Sequence, residues 1–112
     1  MESVWSNKID EVLKVGHPLT EIGLRNWALT KSQALFAIER FLEYNIPVLG
    51  GDICENTDGL IKPNYDSWYC DPSPGETESE FLNRSIVKAK QYIEAYPIKK
   101  TDTIFFVLVP RV

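Results

Sequence analysis

Residues able to do chemistry are concentrated in one part of this sequence, between positions 50 and 80. That window holds eight of the 16 acidic residues and a single base. Two carboxylate pairs in it, Asp52 with Glu55 and Asp66 with Asp71, have the residue types needed for glycoside hydrolysis or for binding a hard cation. Neither pair has the spacing of a motif, and such pairs arise by chance in an acidic chain. We therefore predict no catalytic residue and no metal site.

The two cysteines and the single histidine offer another chemistry, a thiol paired with an imidazole. No supporting signature surrounds Cys54 or Cys70, and His17 stands beside a proline without a second histidine to share a metal. The predicted hairpin places the cysteines too far apart for a disulfide, so both are expected to be reduced and at least half-buried. Glycine loops for phosphate, nucleophile elbows and zinc-type spacings are also lacking. The sequence thus predicts no cofactor and no enzymatic activity.

The acidic window also carries large aromatic residues, in the stretch Tyr65-Asp66-Ser67-Trp68-Tyr69. Tyrosine and tryptophan supply much of the binding energy of protein interfaces. A surface with this charge repels nucleic-acid phosphates and attracts a basic partner. On a regular strand Asp66 and Trp68 share one face, and we predict that Trp68 is exposed. The predicted partner-binding residues are Asp52, Glu55, Asp58, Asp66, Trp68, Tyr69, Asp71 and Glu76. The alternative is a solvated acidic loop that confers only solubility.

Length and composition indicate a single domain spanning residues 1–112, and its predicted elements, described below, make it α+β. Of these residues 44% are hydrophobic and 25% are charged, with a net charge of −4, which excludes disorder and low complexity. No apolar run is long enough to cross a membrane, and the acidic N-terminus does not resemble a secretory signal. We expect a cytoplasmic protein with no nucleic-acid or membrane partner, and its oligomeric state stays open.

Three helices and a hairpin are predicted to position these residues. The first helix is expected to open at Ser6 and to close at Gly16. Capping boxes at Thr30 and Thr77 begin the second and third helices, which run to about Tyr44 and Tyr96. The hairpin extends from about residue 46 to residue 69 and turns at residues 56–59, where Asn, Asp and Gly tolerate positive φ.

Other extended segments complete the predicted sheet. Residues 103–109, TIFFVLV, are apolar on both faces, which predicts a strand that is central or covered on both sides. Residues 20–29 are readable as a helical turn or a strand, and we expect a strand at Leu24–Leu29. Gly50 and Gly51 indicate a bulge, a close approach of another backbone, or relief of crowding. The prediction is an α+β fold with a three- or four-stranded, mostly antiparallel sheet packed with three helices, its strand order open.

Four segments of the chain resemble one known family. They are GLRNWALTKSQAL, IPVLGGDI, NYDSWYCD and FFVLVP. Together they are similar to the immunity protein 40 family of bacterial polymorphic toxin systems, over about Trp5 to Pro110. The resemblance implies a small cytosolic α+β protein that binds and neutralises a cognate toxin. It implies no catalytic residues, and the partner-binding residues above rest on charge and aromatic content alone.

Three functional hypotheses follow. The leading one is an immunity protein that binds a cognate toxin, expected to be basic, through the acidic, aromatic-bearing surface. The second is a small carbohydrate-active or ligand-binding module that uses Asp52, Glu55 or Asp66 together with stacking by Trp68 and Tyr69. The third is a ligand-sensing or scaffold domain without a toxin partner.

Overall fold

The computed structural model describes residues 7–98 and 103–111, and it has the predicted α+β architecture. In chain order its elements are α1 (Asn7–Leu13), β1 (His17–Pro18), a 3-10 helix (Thr20–Ile22), β2 (Trp27–Ala28), α2 (Lys31–Glu43), β3 (Val48–Thr57), β4 (Leu60–Tyr69), α3 (Glu78–Ala95) and β5 (Ile104–Pro110). Ser6, the expected cap of the first helix, lies outside the described residues.

Both predicted capping boxes are present. The Thr30 hydroxyl accepts a hydrogen bond from the Gln33 amide at 3.3 Å, and the Gln33 side chain accepts one from the Thr30 amide at 3.0 Å. Thr77 and Glu80 make the same reciprocal pair at 3.1 and 2.8 Å. These bonds satisfy amides that the first helical turn leaves without partners, so α2 and α3 begin where the sequence predicts.

The main sheet is antiparallel, in the order β4-β3-β5. The predicted hairpin turn is confirmed, because Asp58 and Gly59 both adopt positive φ and the Asn56 side chain accepts from the Gly59 amide at 3.0 Å. On its other edge β5 exchanges two hydrogen bonds with Leu29, at 2.8 and 2.7 Å to Phe106. The apolar C-terminal strand is therefore flanked on both sides.

The expected strand at Leu24–Leu29 is shorter than predicted. Only Trp27–Ala28 form a strand, which pairs with β1 in a separate two-stranded sheet, and Leu29 makes the bridge to β5. The helical alternative applies just before it, where Thr20–Ile22 form the 3-10 helix. The two interpretations of this stretch thus each describe a part of it.

The two faces of the main sheet are covered differently. The face toward the helices, here called the inner face, carries Ile53, Phe106 and Leu108 in the main core with Phe41 and Ile93. On the opposite, outer face, Leu19 and Ala28 pack on Cys54 and Val107 as a second cluster. The segment between α1 and α2 therefore covers one half of the outer face.

Gly50 and Gly51 combine two of the predicted roles. The register between β3 and β5 shifts between Val48 and Gly50, so a bulge is present. A Cβ at Gly51 would lie 2.3 Å from Cη2 of Trp68, and one at Gly50 would lie 2.3 Å from the Trp68 carbonyl oxygen. Crowding by Trp68 therefore requires glycine at both positions.

Candidate functional site

The eight predicted partner-binding residues do not form one continuous surface. Asp52 and Tyr69 lie on the outer face, and Glu55 and Asp66 line a cleft at the C-terminal end of α3. Asp58 lies in the hairpin turn, Asp71 and Glu76 lie in the loop between β4 and α3, and Trp68 lies in the core. Six of the eight are exposed; Trp68 and Glu76 are not.

The prediction that Trp68 is exposed is wrong. Its side chain is 6% exposed and stacks on Tyr92 of α3, with ring centroids 4.7 Å apart. Strand alternation correctly places Asp66 and Trp68 on the same side, since Tyr96, the C-terminal cap of α3, contacts Asp66. Alternation identifies residues that share a face, but it does not identify which face a helix covers.

Glu76 is partly buried and forms an ion pair with Arg84. The Arg84 guanidinium donates to both carboxylate oxygens, at 2.7 and 2.8 Å, and the Ser73 amide donates to Oε1 at 2.9 Å. The Arg84 hydrogen bond and then the Ser73 amide lower the pKa of Glu76 to about 2, and its side chain is 11% exposed. Glu76 therefore shapes the loop and is not free to contact a partner.

Arg84 fixes the rest of this loop as well. It donates to the Asp71 carbonyl oxygen at 2.5 Å and to the Cys70 sulfur at 3.2 Å. The Asp71 carboxylate stays exposed on the restrained backbone. Sequence reasoning did not single out Arg84, because its partners lie 8 to 14 positions away across a proline-rich loop and no periodic pattern joins them.

The outer face has an uncovered half that is apolar with an acidic edge. Tyr69, which is 71% exposed, and Val109 flank Gly50 across the three strands. Asp52 and Ser67 form the next exposed rung. Together they surround a shallow depression of about 220 Å³. A flat, open depression of this kind suits contact with a protein surface better than enclosure of a small molecule.

The second feature is an open cleft of about 640 Å³ beside the end of α3. Glu55 and Asp66 supply its carboxylates, and the Tyr96 hydroxyl joins its walls. That hydroxyl donates to Oδ2 of Asp66 at 2.7 Å and accepts from the Asn64 side chain at 2.9 Å. Burial, followed by the bond to Asp66, raises the pKa of Tyr96, so its proton stays in place to donate. The cleft is acidic and its polar groups are preordered.

Comparison of the sequence with known protein families gives a match. The family model described as Immunity protein 40 matches residues 18–110. The chain belongs to the immunity protein 40 family. The resemblance carried by the four sequence segments is thereby confirmed. No curated protein and no solved structure matches the chain.

Family membership supports an immunity role, in which the protein binds a toxin partner. The matched region includes both faces of the main sheet, the hairpin, the Arg84 loop and the cleft, whereas α1 precedes it. All eight predicted residues thus lie within the part of the chain that this immunity protein shares with its family.

The described residues of this immunity protein show little that suits catalysis. Burial, with the negative charge of Asp52, raises the pKa of the Cys54 thiol to about 11, so this sulfur stays protonated and is a poor nucleophile. Cys70 is also buried and free. Within residues 7–98 and 103–111 no three His, Cys, Asp or Glu side chains come together as metal ligands, and no helix is long and apolar enough to span a membrane.

Proposed function

We propose that this protein neutralises a cognate bacterial toxin in the cytoplasm by binding it, without catalysis, through exposed acidic and aromatic residues of the β3–β4 hairpin. Family membership supports the toxin as the class of partner. The observation that carries the choice of surface is the exposure of Asp52, Glu55, Asp58 and Tyr69 on one hairpin.

Charge complementarity supports a basic partner. The hairpin, residues 48–69, holds four acids and one base. Toxins that act on nucleic acid are often basic, and an acidic surface raises the rate of encounter with such a protein through long-range attraction. The apolar platform around Tyr69 would then supply the short-range contacts that slow dissociation.

The predicted residues divide into two roles under this proposal. Asp52, Glu55, Asp58, Asp66, Tyr69 and Asp71 are exposed and available to contact the toxin. Trp68 and Glu76 act indirectly, since Trp68 holds β4 against α3 and Glu76 holds the following loop through Arg84. Loss of either one is expected to weaken binding by disturbing the fold.

Calorimetric titration with the toxin domain encoded immediately upstream tests the proposal, at low and at high salt. We expect nanomolar affinity that weakens as salt increases. Asp52→Asn, Glu55→Gln and Asp58→Asn should each weaken the affinity and reduce its dependence on salt. Glu11→Gln is the matched control, because Glu11 is an exposed acid of α1 that pairs with Lys14 on the same helix.

Two outcomes would count against the proposal in different ways. Absence of binding at both salt concentrations would refute toxin neutralisation. Tight binding that does not respond to salt, and that the three hairpin variants leave unchanged, would refute the acidic surface while leaving inhibition in place. Co-expression with the toxin, scored by growth, then reports whether binding neutralises it.

The carbohydrate-active alternative has less support. Trp68 is buried against Tyr92 and cannot stack on a sugar. Asp52 lies on the outer face, whereas Glu55 and Asp66 line the cleft beside α3, so these carboxylates do not converge as one catalytic set.

A further inference from the structure

The strand β4 contains an unusual bulge at residues 64–66, here called the Tyr65 bulge. Asp52 pairs with Ser67 and Cys54 pairs with Pro63, so three residues of β4 stand opposite the single residue Ile53. At the centre of the bulge Tyr65 adopts a φ of 72°. A bulky side chain rarely occupies this left-handed region, and the conformation persists only where its surroundings impose it.

Tyr96 supplies the surroundings that hold the bulge. Its hydroxyl bonds both residues that flank Tyr65, accepting from Asn64 and donating to Asp66. The Asp66 amide also donates to the Asn64 side-chain oxygen at 2.9 Å. The Tyr96 ring packs on Tyr92 and edge-on against Phe106, each with centroids 5.9 Å away. The strained backbone is therefore anchored to the main core.

The Tyr65 side chain contributes little to the packing of the fold. Its side chain is 91% exposed, the most of any large hydrophobic residue that the structure describes. An exposed aromatic ring, held on a strained backbone by a dedicated set of hydrogen bonds, indicates a function outside the fold itself. Tyrosine is a preferred anchor in protein interfaces because its large ring loses little conformational freedom on binding.

The neighbourhood of the bulge indicates the chemistry of the partner. Asn64 and Asp66 line the acidic cleft on either side of Tyr65 in sequence, and Glu55 is its second carboxylate. A lysine or arginine side chain fits this cleft by charge, and a neighbouring side chain of the same basic segment can pack on the exposed ring of Tyr65.

We infer that Tyr65 is the aromatic anchor for a basic segment of the toxin, that the cleft between Glu55 and Asp66 takes a lysine or arginine of that segment, and that Tyr96 positions the anchor. This inference rests on the proposed function. The inference adds two residues to the proposed function. They are Tyr65, which the charge pattern did not select, and the positioning residue Tyr96.

Binding of the upstream-encoded toxin domain by Tyr65 variants tests the anchor. Tyr65→Ala and Tyr65→Gly are expected to raise the dissociation constant at least tenfold. The glycine variant should unfold at a higher urea concentration than the alanine variant, the reverse of the usual order in a strand, because glycine adopts a φ of 72° without strain. Phe36→Ala is the matched control, since Phe36 is a 63% exposed aromatic residue on α2 and should leave affinity unchanged.

A double-mutant cycle tests the positioning role of Tyr96. Tyr96→Phe keeps the ring packing and removes the hydroxyl, so it should weaken binding in the wild-type background and have a much smaller effect, confined to Asp66 of the cleft, in the Tyr65→Ala background. Equal loss in both backgrounds would overturn this role. Wild-type binding that Tyr65→Ala changes by less than twofold would overturn the anchor alone, whereas a wild type that binds no toxin would overturn the proposed function.

Discussion

Replacement of Trp68 by alanine should strongly destabilise the protein, whereas replacement of its neighbour Tyr69 should not. Truncation of a buried tryptophan costs about 3–5 kcal/mol. The loss of stacking on Tyr92 favours the upper end of that range. Among the described residues no group accepts a hydrogen bond from the Trp68 indole nitrogen, so its removal recovers about 1 kcal/mol. We expect a net loss of about 4 kcal/mol.

Urea denaturation followed by circular dichroism measures this loss. With a slope of about 1.5 kcal/mol per M, the midpoint of Trp68→Ala should fall by about 2.7 M. Trp68→Phe keeps an aromatic ring against Tyr92 and should lose about 1–2 kcal/mol, which leaves a folded variant to study. Tyr69→Ala is the matched control. This substitution removes an exposed ring whose centroid lies 5.4 Å from the Lys88 amine, a cation–π contact. We therefore expect it to lower the free energy of unfolding by about 0.5 kcal/mol or less.

Equal midpoints for the two alanine variants would refute the conclusion that Trp68 holds the hairpin against α3. The sequence-based prediction of an exposed Trp68 would then regain support. A Trp68→Ala variant that keeps the wild-type midpoint and loses only toxin binding would have the same meaning.

Two further changes test how α3 holds the hairpin and the loop. The depressed pKa of Glu76 means that its ion pair with Arg84 stabilises the protein fully above the unfolded pKa of 4.5 and loses this effect as pH falls toward 2. Wild type should therefore be more stable than Glu76→Gln at pH 7, and the gap in urea midpoint should shrink between about pH 5 and pH 2; a gap independent of pH would contradict the ion pair. Ser85→Ala removes the buried hydroxyl that accepts from the Val48 amide at 3.1 Å, at a cost of about 1–3 kcal/mol. Thermal unfolding beside the exposed control Ser79→Ala measures it, and equal melting temperatures would show that the amide needs no partner.

Local signals in the sequence predicted the elements well. The capping boxes at Thr30 and Thr77 and the turn at residues 56–59 depend on residues within three positions of one another, and all three are present. The apolar pattern of residues 103–109 depends only on alternation, and the strand it predicted is covered on its inner face and, around Val107 but not Val109, on its outer face. Such features are visible in sequence because their physical causes are local.

Contacts between distant parts of the chain were not predictable in this way. The position of Trp68 depends on Tyr92, 24 residues later in sequence, and the loop geometry depends on Arg84. The Tyr65 bulge, which places three residues of β4 opposite Ile53, has no local pattern in the sequence that predicts it. Charge counting in turn treated Glu76 as one more surface acid, because sequence does not reveal which carboxylate an arginine will bind. The sequence therefore identified which hairpin carries the exposed acids, but not that Trp68 is buried or that Glu76 is bound by Arg84.

Helix α3 and its C-terminal cap support the candidate surface from the inner face of the sheet. Four side chains of α3 and its C-terminal cap each restrain a different part of the acidic window, with Ser85 on the start of β3, Arg84 on the loop after β4, Tyr92 on Trp68, and Tyr96 on the Tyr65 bulge. Because these contacts fix the backbone before any partner arrives, the exposed carboxylates and tyrosines lose less conformational freedom on binding than the same residues would on a mobile loop. Substitutions on the buried side of α3 should therefore weaken toxin binding, although these residues do not contact the toxin. Each loss of affinity should be larger when the segment that the substitution frees contributes more to the interface.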